Sequence, residues 1–172
     1  MFNVRCTRKL LGRGAPTLRP IAMPPTTVLG DWYANIVFTR PEQVVVCISE
    51  RTLLPVIVTA KDVKRLPERV AAAAGKILAS IGVSPEDIAA ELSEMNVGAL
   101  AATENRRVLG SLNDFVFHFE HGVGGFPELS LQERALRLAS MPCSVLEYAY
   151  PTEATLAAFA ASKALNVARS AA

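Results

Sequence analysis

The amino-acid sequence predicts an α+β fold, in which a small antiparallel sheet of about five strands is covered by four to five helices. Residues 33–59 favour strands, because they are rich in β-branched and aromatic residues and are interrupted twice by turn residues. After Lys61 the apolar residues recur at helical spacing instead. This order predicts a central three-stranded antiparallel meander, with helices packed on one face of the sheet.

Five segments have the pattern of strands, with approximate bounds 2–6, 33–39, 43–49, 53–59 and 96–102. Turn residues at 40–43 close the first hairpin of the meander. Pro55 restricts its third strand to an edge, a first ladder position or a bulge. Several prolines between Gly14 and Gly30 exclude a helix and predict an extended connection. Residues 145–150 follow either as a last strand or as an extended tail.

Four segments have the apolar spacing of helices, near residues 66–81, 85–95, 107–121 and 130–140. Ser84 and Ser130 stand where N-terminal caps are expected, and Gly82 ends the first of these helices. Thr7 is expected to cap a brief helix over residues 8–11. The whole α+β domain is expected to occupy residues 1–151, followed by an alanine-rich helix or tail over residues 152–172.

The composition of the chain indicates in which cellular compartment the protein is expected and whether it needs a cofactor. With 172 residues, 51% of them hydrophobic, the chain can bury a core without disulfides or a structural metal, and no cofactor is expected. Cys6, Cys47 and Cys143 are odd in number and far apart, which is typical of free thiols. No signal peptide is visible, and no uncharged run reaches the ~20 residues that span a bilayer. We therefore expect a cytoplasmic protein without a membrane segment.

Positive charge is concentrated near the N-terminus. The formal net charge is only +2, but the first 30 residues hold five basic residues and no acidic one: Arg5, Arg8, Lys9, Arg13 and Arg19. Such a patch could bind anions. No aromatic side chain alternates with these charges to stack on bases, so a nucleic-acid partner is not expected and a solvated, mobile arm is favoured.

The stretch from residue 103 to residue 121 contains both histidines of the protein. On a helix, at about 100° per residue, its apolar side chains share one arc and its polar side chains gather on the opposite side. The polar set is Arg107, Ser111, Asp114, His118 and His121. Because Gly110 is a poor interior residue, two interpretations stay open. Either the helix begins near residue 107, or a structured turn over residues 105–110 precedes a helix that begins at Ser111.

Several motifs follow one another in a recognisable order. They read Arg-Cys-Thr-Arg-Lys-Leu-Leu at 5–11, Leu-Gly-Asp-Trp-Tyr-Ala-Asn at 29–35, Glu-Arg-Thr-Leu at 50–53, Asn-Arg-Arg-Val-Leu-Gly-Ser-Leu-Asn-Asp-Phe at 105–115 and Met-Pro-Cys at 141–143. In this order they resemble an uncharacterised prokaryotic family, a domain of unknown function. The resemblance covers about residues 2–151. It implies a small bacterial or archaeal protein and carries over no known activity, cofactor or catalytic residue.

Two kinds of chemistry are conceivable on the polar face. Asp114, His118 and His121 have the spacing of metal ligands on one side of a helix, but a solvated polar face explains the same residues and no metal is expected. Ser111 or Cys143 could act as a nucleophile with His118 as base and Asp114 as orienting group. No strand-turn-helix nucleophile motif supports this, and a buried cysteine that packs as a small hydrophobe is the alternative.

Donor groups at the start of the motif predict an anion site, since helix-start N–H groups and arginines bind phosphate or carboxylate. The candidate ligand-binding residues are Asn105, Arg106, Arg107, Gly110, Ser111, Asn113, Asp114 and His118. The alternative is structural: Asn105 caps the turn, one arginine bonds a nearby carbonyl, and Gly110 lets a strand pass closely.

These patterns favour a non-enzymatic binding or regulatory module, whose ligand is a small anion or a protein partner bound at residues 105–121. The alternative is a small enzyme or metal-binding protein that uses the face of Asp114, His118 and His121. Catalytic sites normally draw their groups from several elements. Only one element contributes here, which favours the binding module.

Overall fold

The computed structural model describes residues 1–13, 24–39, 43–126 and 128–170. Its strands are β1 (Phe2–Cys6), β2 (Trp32–Val37), β3 (Val44–Ser49), β4 (Pro55–Thr59) and β5 (Gly98–Ala102). Its α-helices are α1 (Arg8–Leu11), α2 (Leu66–Ser80), α3 (Pro85–Glu94), α4 (Arg106–His121), α5 (Leu131–Ala139) and α6 (Pro151–Ser170). Short 3₁₀ turns occupy Val63–Arg65, Val123–Gly125 and Ser144–Leu146. The predicted α+β class is confirmed.

The described strands form one mixed sheet in the order β4-β3-β2-β1-β5. Strands β2, β3 and β4 are antiparallel neighbours, as the predicted meander requires. Strand β1 lies between β2 and β5 and is parallel to both, with Val4 opposite Trp32 on one side and Leu100 on the other. The prediction of an antiparallel sheet is therefore wrong for β1. Long connections precede both β2 and β5, and such connections allow a strand to return in the parallel direction.

Helices cover both faces of the sheet, so the prediction of one covered face is wrong. Neighbouring residues of a strand point to opposite faces, which places Trp32 and Tyr33 in different layers. On the Trp32 face, Pro67 of α2 packs so closely over Gly98 that no side chain would fit there. On the Tyr33 face, the phenol reaches the start of α4. Every residue of β1 and β3 is buried, which is typical of strands covered on both sides.

Helix boundaries lie close to the predicted ones because their capping signals are local. The hydroxyl of Ser84 accepts a hydrogen bond from the N–H of Asp87 at 3.2 Å. Ser130 and Glu133 form a complete capping box at the start of α5. Each such cap satisfies a backbone N–H that has no partner inside its own helix, and contributes about 1 kcal/mol.

Helix α4 begins at Arg106, directly after Asn105, and continues through Gly110 to His121. The interpretation of a turn followed by a helix from Ser111 is therefore wrong. A Cβ added at Gly110 would meet no other atom within 4 Å, so no strand passes close to this glycine. Its interior position costs about 1 kcal/mol relative to alanine. Packing of the apolar face of α4 on the sheet offsets that cost.

In the last part of the chain, the structure excludes the possible strand over residues 145–150 and decides between a helix and a tail for the alanine-rich segment. Residues 145–150 form no strand, since the 3₁₀ turn is followed by irregular backbone. The alanine-rich segment is helical, and α6 buries Thr155 and Phe159 against the domain. Of the predicted hairpin turn at 40–43, residues 40–42 lie outside the described residues. Within the described ranges, no helix is both long enough and apolar enough to cross a membrane.

The basic N-terminal segment belongs to the fold as far as the structure describes it. Arg5 is buried within β1. Lys9 and Arg13 lie over the ring of Phe38, 4.4 and 5.2 Å from its centroid. The expected mobile arm is therefore wrong for residues 1–13, because β1 and α1 are formed there. Residues 14–23, most of the predicted extended connection, lie outside the described residues.

Candidate functional site

Asn105 closes the start of α4. Its side-chain oxygen accepts hydrogen bonds from the backbone N–H groups of Arg107 and Val108, at 3.0 and 3.3 Å. Its own N–H donates to the hydroxyl of Tyr33, 3.1 Å away. Burial raises the pKa of the Tyr33 phenol, so this hydroxyl stays protonated at neutral pH. Asn105 is thus both the cap of α4 and its link to the sheet.

Arg107 joins α4 to residues 141–148. Its guanidinium donates to the carbonyl oxygen of Val145 at 2.8 Å, and the hydroxyl of Ser111 donates to the carbonyl oxygen of Arg107 at 3.4 Å. Arg106 and Gly110 are exposed. The N–H groups of Arg107 and Val108 and the Arg107 side chain therefore have partners inside the protein. The structural alternative to an anion site predicted these contacts, with Asn105 as the cap and one arginine bonded to a nearby carbonyl oxygen.

A cavity of about 200 Å³ lies between α4 and residues 141–148. Its lining consists of Ser111, Asp114, Phe115 and His118 from α4, and of Met141, Pro142, Cys143, Ser144, Val145 and Tyr148 from the opposite wall. Three residues of the predicted polar face thus meet at one cavity. Asn113 and His121 are exposed and lie outside the lining.

Two other openings are larger and contain no residue of the 105–121 motif. A groove of about 930 Å³ runs between α3 and α6, and one of about 390 Å³ lies between α2, α5 and β4. In the first, Glu91 is used inside the protein, since its carboxylate accepts backbone hydrogen bonds from Val28 and Leu29. In the second, Arg69 donates to the carbonyl oxygens of Thr59 and Asp62.

The cavity beside α4 differs because three of its polar side chains make no hydrogen bond or ion pair with the described residues. Asp114 and His118 are exposed, and within the described part of the chain neither makes a hydrogen bond or an ion pair. Tyr148 leaves 73% of its surface exposed, and its hydroxyl also lacks a partner among the described residues. The cavity therefore presents a carboxylate, an imidazole and a phenol to anything that enters it.

Residues 141–148 form a tight, internally bonded wall. The N–H of Tyr148 donates to the carbonyl oxygen of Cys143 at 2.9 Å, and the N–H of Cys143 donates to that of Ala149 at 3.1 Å. Glu147 and Tyr148 both adopt left-handed backbone, with φ values of 55° and 66°. This conformation costs about 1–2 kcal/mol per residue for side chains other than glycine. Strain of this kind clusters at ligand-binding sites.

Neither candidate nucleophile is activated. Burial, and then the charge of Asp114, raise the pKa of the Cys143 thiol, so it stays protonated at neutral pH, whereas nucleophilic cysteines have a lowered pKa. The hydroxyl of Ser111 donates to a backbone carbonyl and makes no hydrogen bond to His118 in the described structure. The pairing of nucleophile and base that covalent catalysis requires is not formed.

The candidate metal ligands do not converge. The Nδ1 atom of His121 lies 2.9 Å from the carbonyl oxygen of Phe117, and its ring stacks on the Phe117 ring with centroids 4.3 Å apart. Only Asp114 and His118 of the three candidates reach the cavity. Across the described ranges, no three His, Cys, Asp or Glu side chains are grouped so as to hold a metal ion.

Sequence reasoning missed the second wall of the cavity, formed by residues 141–148, and the ion pairs that Arg5 makes with residues before β2 and α4. The Met-Pro-Cys motif was the available signal for the wall, but no pattern placed it opposite α4. Outside the cavity, the Nε atom of Arg5 lies 2.7 Å from a carboxylate oxygen of Asp31, and another of its nitrogens lies 2.8 Å from the carboxylate of Glu104. These residues belong to separate motifs, so their pairing became visible only in the fold.

Comparison with known proteins agrees with the resemblance to a domain of unknown function. A family model described as a domain of unknown function, DUF6933, matches residues 3–154, which is most of the chain. The chain belongs to this family. The matched DUF6933 region contains the sheet, α4 and both walls of the cavity, and it ends within the first turn of α6. No curated protein and no solved structure matches the chain.

Proposed function

We propose that this DUF6933 protein is a non-enzymatic binding module, which holds a small ligand or one side chain of a protein partner between α4 and residues 141–148. One observation carries the proposal: Asp114, His118 and Tyr148 come from two elements and line one cavity, and in the described structure their side chains make no hydrogen bond or ion pair. Free polar groups that converge on a partly apolar cavity are typical of ligand sites.

The backbone around the cavity supports the same proposal. Two left-handed residues, Glu147 and Tyr148, are held in place by the hydrogen bonds that close the segment. Arg107 anchors that segment to α4 through the carbonyl of Val145. A wall that is fixed in advance loses little conformational freedom when a ligand binds. The arrangement therefore favours recognition by a preformed site.

The side-chain chemistry favours binding over catalysis. The Cys143 thiol has a raised pKa, and the Ser111 hydroxyl is directed to a backbone carbonyl. The free cysteines support a reducing compartment such as the cytosol for this module. Cys6 is buried, which raises the pKa of its thiol to about 12 and keeps it unreactive.

Nuclear magnetic resonance of the ¹⁵N-labelled protein tests the proposal. The probes are a mixed set of small amines, carboxylates, inorganic phosphate and neutral alcohols. We expect at least one class to shift backbone amide signals of residues 111–118 and 141–148 together, since both walls contact the same ligand. Asp114→Ala should weaken that response, because the free carboxylate is lost.

Asn113→Ala is the matched control, because Asn113 is exposed on the same helix but outside the lining. It should leave the response unchanged. Signals that move only at the groove between α3 and α6, or no movement with any probe, would count against the binding site beside α4.

A further inference from the structure

Building on the proposed function, we propose that the cavity between α4 and residues 141–148 recognises a cationic head group, of the alkylammonium or guanidinium class. The charge of the lining points to this class first. The lining contains the carboxylate of Asp114 and, among the described residues, no lysine or arginine. A bound cation would find in Asp114 an acceptor that no other group of the described residues occupies.

Aromatic rings beside the carboxylate are the second, independent observation. Phe115 and Tyr148 line the same cavity as Asp114. An aromatic face attracts a cation within about 6 Å of its centroid, and a carboxylate with aromatic neighbours is the usual composition of sites for ammonium groups. The 73% exposure of Tyr148 leaves its ring available for this contact.

Size and polarity limit the ligand to a head group with a short alkyl chain. The cavity volume of about 200 Å³ is below the roughly 300–1,000 Å³ of sites that enclose a whole drug-sized molecule. Met141, Pro142 and Val145 supply apolar contacts for methylene groups. A lysine or arginine side chain of a partner and a small free amine share this chemistry.

An anion is disfavoured at the same place. It would meet the Asp114 carboxylate, while the cationic and helix-start donors predicted for an anion site, the Arg107 guanidinium and the N–H groups of Arg107 and Val108, already have partners. Arg107 lies outside the lining with its guanidinium on the Val145 carbonyl, and Asn105 accepts the first free N–H groups of α4. The only other charge in residues 141–148 is the carboxylate of Glu147, which also favours a cation.

Three compounds of similar size and different charge test the ligand class: butylammonium, 1-pentanol and butyrate. Titration followed by amide signals of residues 111–118 and 141–148 gives an affinity for each. We expect butylammonium to bind at least tenfold more tightly than 1-pentanol, and butyrate to cause no shift. Asp114→Asn should remove the preference for butylammonium, and Tyr148→Leu should weaken its binding severalfold.

Asn113→Ala again serves as control and should retain the wild-type affinities. Both site residues are exposed, so an unchanged amide spectrum outside the cavity verifies that the variants fold. Equal or tighter binding of 1-pentanol or butyrate at the cavity would overturn the cationic class and leave the binding module standing. Absence of any response at the cavity to all three compounds and to the broader probe set would overturn the binding module itself.

One further comparison distinguishes the two possible sources of the head group, a partner's lysine or arginine side chain and a small free amine. Acetyl-Gly-Lys-Gly-amide and acetyl-Gly-Arg-Gly-amide carry the head groups on a peptide. Tighter binding of either peptide than of butylammonium would indicate a partner's side chain, since the peptide backbone then adds contacts outside the cavity. Equal or weaker binding would indicate a small free amine.

Discussion

Cys143 and Asp114 act on each other across the wall of the cavity. Burial is the larger cause that raises the pKa of the Cys143 thiol, and the negative charge of Asp114 is the smaller one. A neighbouring anion disfavours the thiolate, so its removal lowers the pKa of the thiol. The reactivity of one cysteine therefore reports whether the carboxylate lies where the fold places it.

We predict that Asp114→Asn speeds alkylation of Cys143 by iodoacetamide. A lower pKa leaves more thiolate at pH 8, and we expect the rate to rise by about two- to fivefold. Cys6 and Cys47 are buried, with the pKa of both thiols raised by that burial, and should stay unmodified in the folded protein. Mass spectrometry of the digested protein over time measures each site.

Asn113→Ala should react at the wild-type rate, because Asn113 is uncharged and lies outside the lining. An unchanged rate in Asp114→Asn would contradict the closeness of the carboxylate to Cys143. Modification of Cys6 as fast as that of Cys143 would contradict the burial of β1.

Among the elements, Arg5 of β1 makes a buried ion pair with the residue before β2 and an exposed ion pair with a residue before α4. The carboxylate of Asp31, just before β2, is fully buried and accepts from the backbone N–H of Asn3 at 2.8 Å and from Arg5 at 2.7 Å. Burial lowers the pKa of Arg5, but its hydrogen bond and charge attraction to Asp31 outweigh this and raise it. Glu104, just before α4, binds the exposed side of the same guanidinium.

We predict that Asp31→Asn destabilises the fold by about 3–5 kcal/mol, because Arg5 is then left buried without its main counter-charge. Glu104→Gln is the matched comparison and should cost less than about 1 kcal/mol, since an exposed partner is screened by water. The Glu104 side chain is 67% exposed. Urea denaturation of both variants, followed by circular dichroism, measures the two free energies of unfolding.

Equal losses in the free energy of unfolding for the two variants would show that the buried partner Asp31 does not contribute more than the exposed partner Glu104. A Glu104→Gln variant less stable than Asp31→Asn would reverse the assignment of inner and outer partner.

For the molecule as a whole, Glu91 makes stability depend on pH. Its side chain is 2% exposed and accepts from the N–H groups of Val28 and Leu29 at 2.7 and 3.0 Å, which ties α3 to the segment before β2. Burial raises the pKa of this carboxyl, and the two hydrogen bonds oppose the rise only in part. The folded protein therefore holds the Glu91 proton to a higher pH than the unfolded chain does.

We predict that wild type loses stability relative to Glu91→Gln as the pH rises. The stabilising contribution of a raised carboxyl pKa is fully present below the unfolded pKa, which is close to 4.5, and is lost as the pH rises through the folded pKa. The variant does not titrate, and other groups cancel in the difference. Glu91→Gln itself should cost about 1–3 kcal/mol, because its NH₂ group faces one of the two N–H donors.

Urea denaturation between about pH 3 and pH 8 measures this difference. Glu94→Gln provides a control of opposite sign, because hydrogen bonds to Thr26 and the N-terminal amine lower the pKa of Glu94. Wild type should gain stability relative to that variant as the pH rises through the lowered pKa. A difference for Glu91→Gln that stays constant with pH would refute the raised pKa.

The sequence by itself determined the features that depend on residues a few positions apart. Helical spacing and the caps at Ser84 and Ser130 defined the helices to within a few residues, because such signals act inside one turn. The hairpin pattern defined the antiparallel meander. Likewise, the 100° spacing along α4 placed Ser111, Asp114 and His118 on one face, and these residues do line one cavity.

Only the tertiary structure decided what those faces meet. The parallel position of β1 depends on contacts between residues 26 to 97 positions apart, such as Arg5 with Asp31 and with Ala102. The opposite wall of the cavity reaches α4 through Arg107 and the Val145 carbonyl, 38 positions apart. Local periodicity carries no information about such pairs, since it reports which face of an element is apolar but not which element covers it. Burial of apolar surface and hydrogen bonding in the assembled core select which elements pack together, because each element supplies hydrogen-bond partners for polar groups that another element leaves unpaired.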